Sequence, residues 1–150
     1  MKGLIINKMS EETYEYEFER QKLKKYIGTE AYNMLKRYHA IVAGGSITSL
    51  FCNREINDID MYFKNKKDLS DFFYNEMNGR WVIANTDKAI LFTYEKIKIQ
   101  AIYFRFFETA EDIFNTFDFT VCMGAFDFDT EKFVLHNDFL KHNVSKILKF

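Results

Sequence analysis

The sequence predicts an α+β domain, a mixed β-sheet of about five strands with flanking helices. Three observations carry that prediction. Short apolar segments of strand period alternate with stretches of helical period. Three strand patterns follow one another in the middle of the chain with only turns between them, as in hairpins. The 150 residues are 47% hydrophobic and contain no proline, which provides apolar surface for one core and marks no internal boundary. The expectation is therefore one domain over 1–150, with N-terminal helices over 1–38, a core over 39–136 and a C-terminal helix over 137–150.

Each element has a local reason. Ser10, followed by Glu11, Glu12 and Thr13, has the hydroxyl cap and acidic first turn of a helix start. That helix runs through Tyr14, Phe18 and Leu23 towards Tyr26 and stops at Gly28. Thr29 is placed to cap a second helix carrying Tyr32, Leu35 and Tyr38. His39 to Ala43 reads as a short buried strand that delivers the chain to Gly44-Gly45. One or two helical turns fit 46–53, and a second strand fits 58–63. Leu69, Phe72, Phe73 and Met77 recur at helical spacing over 67–78. Strands are expected at 80–85, 88–94 and 97–104, the last alternating Ile97, Ile99, Ala101 and Tyr103. Helices near 109–116 and 119–126, a turn at Asp127-Phe128-Asp129-Thr130, a strand near 132–136 and a helix near 138–148 complete the chain.

Composition narrows the function. With a net charge of −1, no bulk positive field gathers nucleic acid, although the Lys-rich terminal segments could form a local basic groove. Cys52 and Cys122 are too few for a disulfide framework and lack zinc-site spacing, which points to a reducing compartment. No apolar run approaches membrane-spanning length, and Met1 to Asn7 is too short for a signal peptide. A cytoplasmic protein without membrane contact is expected. The chain carries 17 Phe and 9 Tyr, so core packing is the default for any single aromatic, Trp81 included, with base stacking the alternative.

Three segments carry chemistry. Gly44-Gly45-Ser46 follows a strand and opens a helix; the glycines let a ligand approach the backbone, and Ser46 can cap the helix and offer its hydroxyl to phosphate. Taken alone, the turn is as well explained by an ordinary strand-to-helix connection. Asp58 and Asp60 alternate on an otherwise apolar strand, so both carboxylates face one side and repel unless a cation lies between them. Divalent metal binding is the preferred reading, ahead of a capping Asp58 and a solvated Asp60. Asp118 reads as a helix N-cap with Thr120 in the first turn, a position compatible with facing a nucleotide. Asp127 and Asp129 form a second Asp-x-Asp, but in a hydrophilic turn, and are read as structural. His39, His136 and His142 show no metal spacing, and His39 is read as a packing residue. Lys64, Lys66 and Lys67 fit a solvated loop as well as a phosphate contact.

Together the three segments resemble the catalytic head of template-independent nucleotidyltransferases of the DNA polymerase β superfamily, most of all CCA-adding tRNA nucleotidyltransferases and bacterial poly(A) polymerases. Gly44-Gly45-Ser46 is similar to their glycine turn, Asp58-Ile59-Asp60 to their metal-binding Asp-x-Asp, and Asp118-Phe119-Thr120-Val121-Cys122-Met123-Gly124-Ala125-Phe126-Asp127 to their Asp-Phe-Thr segment. The likeness extends from about 39 to 136. It implies two Mg²⁺ ions, with Mn²⁺ as a substitute, held by Asp58 and Asp60; one activates a hydroxyl while the other clamps a triphosphate. It also implies that Gly44, Gly45 and Ser46 hold phosphate and that Asp118 lies near the sugar.

The chain departs from that family at several positions. Thr48 and Ser49 stand where the family carries Arg-Asp, and Thr116-Phe117 stands where it places Arg before the motif Asp. These changes remove bidentate phosphate contacts. Gln100 occupies the place of the wider superfamily's third carboxylate, and the family's neck, body and tail are expected to be absent. The main expectation is transfer of a nucleoside monophosphate from an NTP to a hydroxyl acceptor, such as an RNA 3′ end (tRNA) or a protein, with a partner subunit or a second copy completing the site. The alternative is a catalytically weak or inactive relative that binds nucleotide or a partner, as in a toxin–antitoxin or phage component.

Overall fold

The computed structural model describes residues 15–147, with side chains described as far as residue 144. The expected helix start at Ser10 lies outside the described residues. Two helices lead in, α1 (Glu17–Ile27) and α2 (Thr29–Arg37), broken at Gly28, whose φ of 87° is open to glycine. Thr29 begins α2 and Gly28 stands at its cap position. The chain continues through β1 (Ile41–Ala43), α3 (Gly45–Phe51), β2 (Asp58–Tyr62) and α4 (Lys66–Glu76). Next come β3 (Val82–Asn85), β4 (Ala89–Tyr94), β5 (Ile97–Ile102) and α5 (Ala110–Phe114). A 3₁₀ turn at Thr120–Cys122, β6 (Gly124–Asp127), β7 (Lys132–Leu135) and α6 (Phe139–Ile147) close the described chain.

The seven strands form one sheet in the order β3-β4-β5-β2-β1-β6-β7. It is mixed, because β2 and β5 run parallel while every other neighbouring pair is antiparallel. The α+β class matches the expectation, with seven strands in place of about five. The expected helix near 119–126 is wrong. That stretch gives a 3₁₀ turn and then β6, which lies beside β1 inside the sheet. Gly124 explains why: a Cβ there would sit 2.9 Å from both Ile47 and Phe139, so α3 and α6 close directly over the strand backbone. Long-range packing decides this segment.

Each face of the sheet has its own cover. On one, Val42, Ile59, Met61, Phe92, Ile99 and Phe126 pack beneath α1, α2, α3, α4 and α6 in the larger core. On the other, Ile41, Ala43, Tyr62, Ala89, Ile102 and Ala125 are buried with Ile113 and Phe114 of α5 and with Phe107. The outward side chains nearer the start of β2 lie outside that smaller core. This is where the acidic pair stands.

Two readings of single residues are corrected. His39 is an exposed residue in the left-handed region at φ 55°, with Nδ1 2.6 Å from Asp129 Oδ1. Trp81, assigned to packing, is 75% exposed just before the edge strand β3. Among the described residues, no helix is long and apolar enough to cross a membrane.

Candidate active site

β1 is three fully buried residues, so its end fixes where Gly44 turns the chain into α3. Gly44 has φ 96°, and a Cβ built there would lie 3.6 Å from Asp60 Oδ2 and 3.7 Å from the Phe117 ring. The glycine turn therefore abuts the second carboxylate. Its carbonyl accepts from the N–H groups of Ile47 and Thr48, at 3.1 and 3.2 Å. Gly45 and Ser46, in the first helical turn, have no intrahelical carbonyl to bond.

Ser46 does not cap α3, because the cap position belongs to Gly44. Its Oγ is buried with no hydrogen-bond partner among the described residues. A buried hydroxyl left unpaired costs about 1–3 kcal/mol. It lines a cleft of about 340 Å³ together with Gly45, Ser49, Asn57, Asp58, Asp60 and Gln100. Asp58 and Asp60 thus face one space, as their alternation on β2 requires. Register adds Gln100, which lies opposite Asp60 on the parallel neighbour β5.

Asp60 also borders a second recess of about 270 Å³, lined by Gly44, Gly45, Thr116, Phe117, Asp118, Phe119 and Cys122. Every expected site residue thus lines one or both recesses. The capping role of Asp118 is not found: Phe119 holds the cap position of the 3₁₀ turn, and no side chain bonds that terminus. Freed from that role, Asp118 borders the recess.

The loop that carries Asp118 is pinned from behind. Thr48 Oγ1 donates to the Val121 carbonyl at 2.7 Å, and buried Asn143 on α6 donates to the same oxygen at 3.2 Å. His142 Nδ1 hydrogen-bonds Thr120 Oγ1. Thr48, where the family carries arginine, therefore faces this loop and not the cleft. Sequence reading missed Asn57 and Asn143 and gave His142 no role. Asn57 directly precedes the acidic pair, which was an available signal; the other two act across the fold and leave no local trace.

The electrostatics of the pair are unbalanced. Burial, then the neighbouring charge of Asp58, pushes the Asp60 carboxyl up to about 6. Neither recess is lined by lysine or arginine among the described residues. The donors are two carboxylates flanked by amide and hydroxyl oxygens, the hard-ligand chemistry of Mg²⁺. Among the described residues no group of three or more His, Cys, Asp or Glu converges. A divalent ion here would take its remaining oxygens from substrate and water, as Mg²⁺ commonly does. The residues fit the ion that the resemblance implies.

Glycine turn, paired carboxylates and strand order define a nucleotidyltransferase-type fold, and solved structures share it. The Bacillus stearothermophilus CCA-adding enzyme in complex with CTP matches with a TM-score of 0.56 at 16% identity, over 75% of this chain and 29% of that one. A tRNA nucleotidyltransferase complexed with a primer tRNA and an incoming ATP analog matches at 0.55 and 14%, over 71% of this chain and 34% of that one. Within this fold the chain belongs to the Gabija anti-defense 2 family, whose pattern matches residues 17–146. A relative described as Gabija anti-defense 2, from Bacillus phage SPbetaL7, is 57% identical over 136 residues. The match covers 90% of this chain and 34% of that relative, so the chain spans about a third of its length.

Proposed function

We propose that this chain is the nucleotidyltransferase module of an anti-defence protein, which takes an NTP into the Asp58/Asp60 cleft and transfers its nucleoside monophosphate to a hydroxyl on another molecule. One observation carries the reading: among the described residues, a buried, unpartnered Ser46 hydroxyl and two carboxylates converge on one cleft that no lysine or arginine lines, beside a glycine turn. The family name supports the anti-defence setting, and an RNA end or a protein of the defence system are both candidate acceptors.

The residues divide the work. Phosphate oxygens accept from the Gly45 and Ser46 N–H groups and from Ser46 Oγ, which ends the isolation of that hydroxyl. The nucleoside occupies the second recess, with its sugar near Asp118 and its base against Phe117 or Phe119. Mg²⁺ held by Asp58 and Asp60 would neutralise the phosphates and ease ionisation of the acceptor hydroxyl. The acceptor oxygen bonds to the α-phosphorus as the bond to the bridging oxygen breaks. Pyrophosphate leaves with that oxygen, and Asp58 takes the hydroxyl proton.

A second reading, nucleotide binding without turnover, draws on Gln100 beside Asp60 and on the lack, among the described residues, of a cationic side chain lining the cleft. Labelled NTPs with Mg²⁺ or Mn²⁺ and candidate acceptors, run beside Asp60→Ala, separate the two. Transfer that the variant abolishes supports the enzyme. Nucleotide-dependent thermal stabilisation without transfer supports the binder. Absence of both contradicts either reading.

A further inference from the structure

We propose that the open sheet face beside the carboxylate pair is the acceptor platform, and that it fits an extended polypeptide presenting a serine, threonine or tyrosine hydroxyl. The inference rests on the nucleotidyl-transfer reading and names its second substrate.

Register defines the platform. Asp58 lies opposite Lys98, and Lys98 opposite Thr93. Thr93 N–H donates to the Trp81 carbonyl at 3.0 Å, which extends that row to the chain just before β3. A second row runs from Asp60 through Gln100 and Leu91 to Ala84. Directly opposed residues share a face, and pleat alternation puts both rows on the cleft side. The third row, Tyr62, Ile102 and Ala89, is buried with α5. Exposure then rises away from α5: Gln100 and Leu91 are half-buried, Lys98 is exposed and Trp81 is exposed over 75% of its surface.

The platform thus leads from the reaction centre to a large aromatic side chain at the sheet edge. Three strand spacings separate Asp58 from Trp81, about 14 Å. An extended polypeptide covers that distance in about four residues.

Charge and apolarity choose the occupant. Lys98 is the one cation in the two rows, and it stands next to Asp58 and Asp60, with Asp118 beyond. A nucleic-acid acceptor needs a track of cations for its phosphates, and the two rows supply a single lysine. A neutral polypeptide needs no such track. Trp81 and Leu91 offer it apolar contact, with tryptophan the side chain most often found as a binding anchor.

Trp81 is the only tryptophan in the chain, so its emission reports on the platform directly. The protein and its Trp81→Ala variant are given labelled NTPs and Mn²⁺ over an array of tryptophan-free peptides centred on serine, threonine or tyrosine, beside single-stranded RNA and DNA with free 3′ hydroxyls. The same peptides and oligonucleotides are titrated against Trp81 fluorescence, and Mn²⁺–NTP stabilisation of both proteins is measured by thermal melting. The expected result is label on peptides with an apolar residue about four positions from the hydroxyl, and a shift in Trp81 emission by those peptides. In Trp81→Ala the peptide KM rises about tenfold or more, with kcat and nucleotide stabilisation held. Label on oligonucleotides in place of peptides, or peptide labelling indifferent to Trp81→Ala, overturns the proposal. So does a set of peptides that neither accepts label nor moves the emission. Nucleotide stabilisation that persists in that last case leaves the nucleotide site standing. Emission shifts without transfer leave a peptide-binding face but overturn its acceptor role together with the transferase reading.

Discussion

Two Asp-x-Asp pairs stand towards opposite ends of β2, Asp58 and Asp60 at its start and Asp127 and Asp129 around Lys64 just past its end, and their surroundings differ in one respect. At Asp127 and Asp129 the fold supplies its own cation. Lys64 Nζ lies 3.0 Å from Asp127 Oδ1 and 2.7 Å from Asp129 Oδ2, while His39 bonds Asp129 from the other side. Burial works to raise the Asp129 carboxyl, but the hydrogen bonds from Lys64 and His39 outweigh it and hold it below its usual value. At Asp58 and Asp60 no lysine or arginine lines the cleft among the described residues, and Asp60 is held up at about 6. The same tripeptide pattern is structural where a lysine completes it. Where none does, among the described residues, both carboxylates line an open cleft.

The largest effect expected from this contrast is on metal-free stability. The folded Asp60 carboxyl sits near 6 against an ordinary 3.8, so the fold favours its protonated form. That contribution is intact below about pH 4, declines as the unfolded chain ionises first between pH 4 and 6, and is lost above. Asp60→Asn should therefore stabilise the metal-free protein by about 2–3 kcal/mol at pH 7.5 and by little at pH 4, as read from urea unfolding. A destabilised variant at pH 7.5 would show that the pair is already balanced.

Lys64→Met tests the other pair and should have the opposite sign. Removing the cation strands Asp127 and costs about 1–3 kcal/mol at pH 7.5, a loss that added Asp127→Asn partly recovers. Equal stability in both backgrounds would deny the lysine its role.

A third comparison concerns Thr48, the position where related heads carry arginine. Thr48→Val removes the hydrogen bond to Val121 and should cost about 1 kcal/mol. Because Thr48 is only 6% exposed, Thr48→Arg should destabilise by more and gain no nucleotide affinity. Thermal melting with and without nucleotide checks both substitutions. The smallest expected effect is that of Lys66→Ala at the exposed start of α4, within about 0.5 kcal/mol.

How much of this could be seen in the sequence follows the range of the forces involved. The acidic pair and the glycine turn were legible because strand alternation and a strand-to-helix glycine are local facts. Their arrival in one cleft follows from β1 and β2 being antiparallel neighbours. β6 was illegible because Gly124 is needed by Ile47 and Phe139, far away in the chain or in another element. Trp81 was misplaced because a chain so rich in buried phenylalanine offers no local sign that one aromatic stays outside. Gln100 was noticed for its chemistry, but only the parallel register of β2 and β5 sets it beside Asp60.

Manganese binding tests the central claim most directly. Free Mn²⁺ is followed by electron paramagnetic resonance in the presence of a non-hydrolysable NTP, for the unaltered chain, for Asp58→Asn with Asp60→Asn, and for Asp127→Asn with Asp129→Asn. The account predicts that the first double variant loses the nucleotide-linked Mn²⁺ while the second keeps it. Retention in the first variant, or no Mn²⁺ uptake by the unaltered chain, would contradict it.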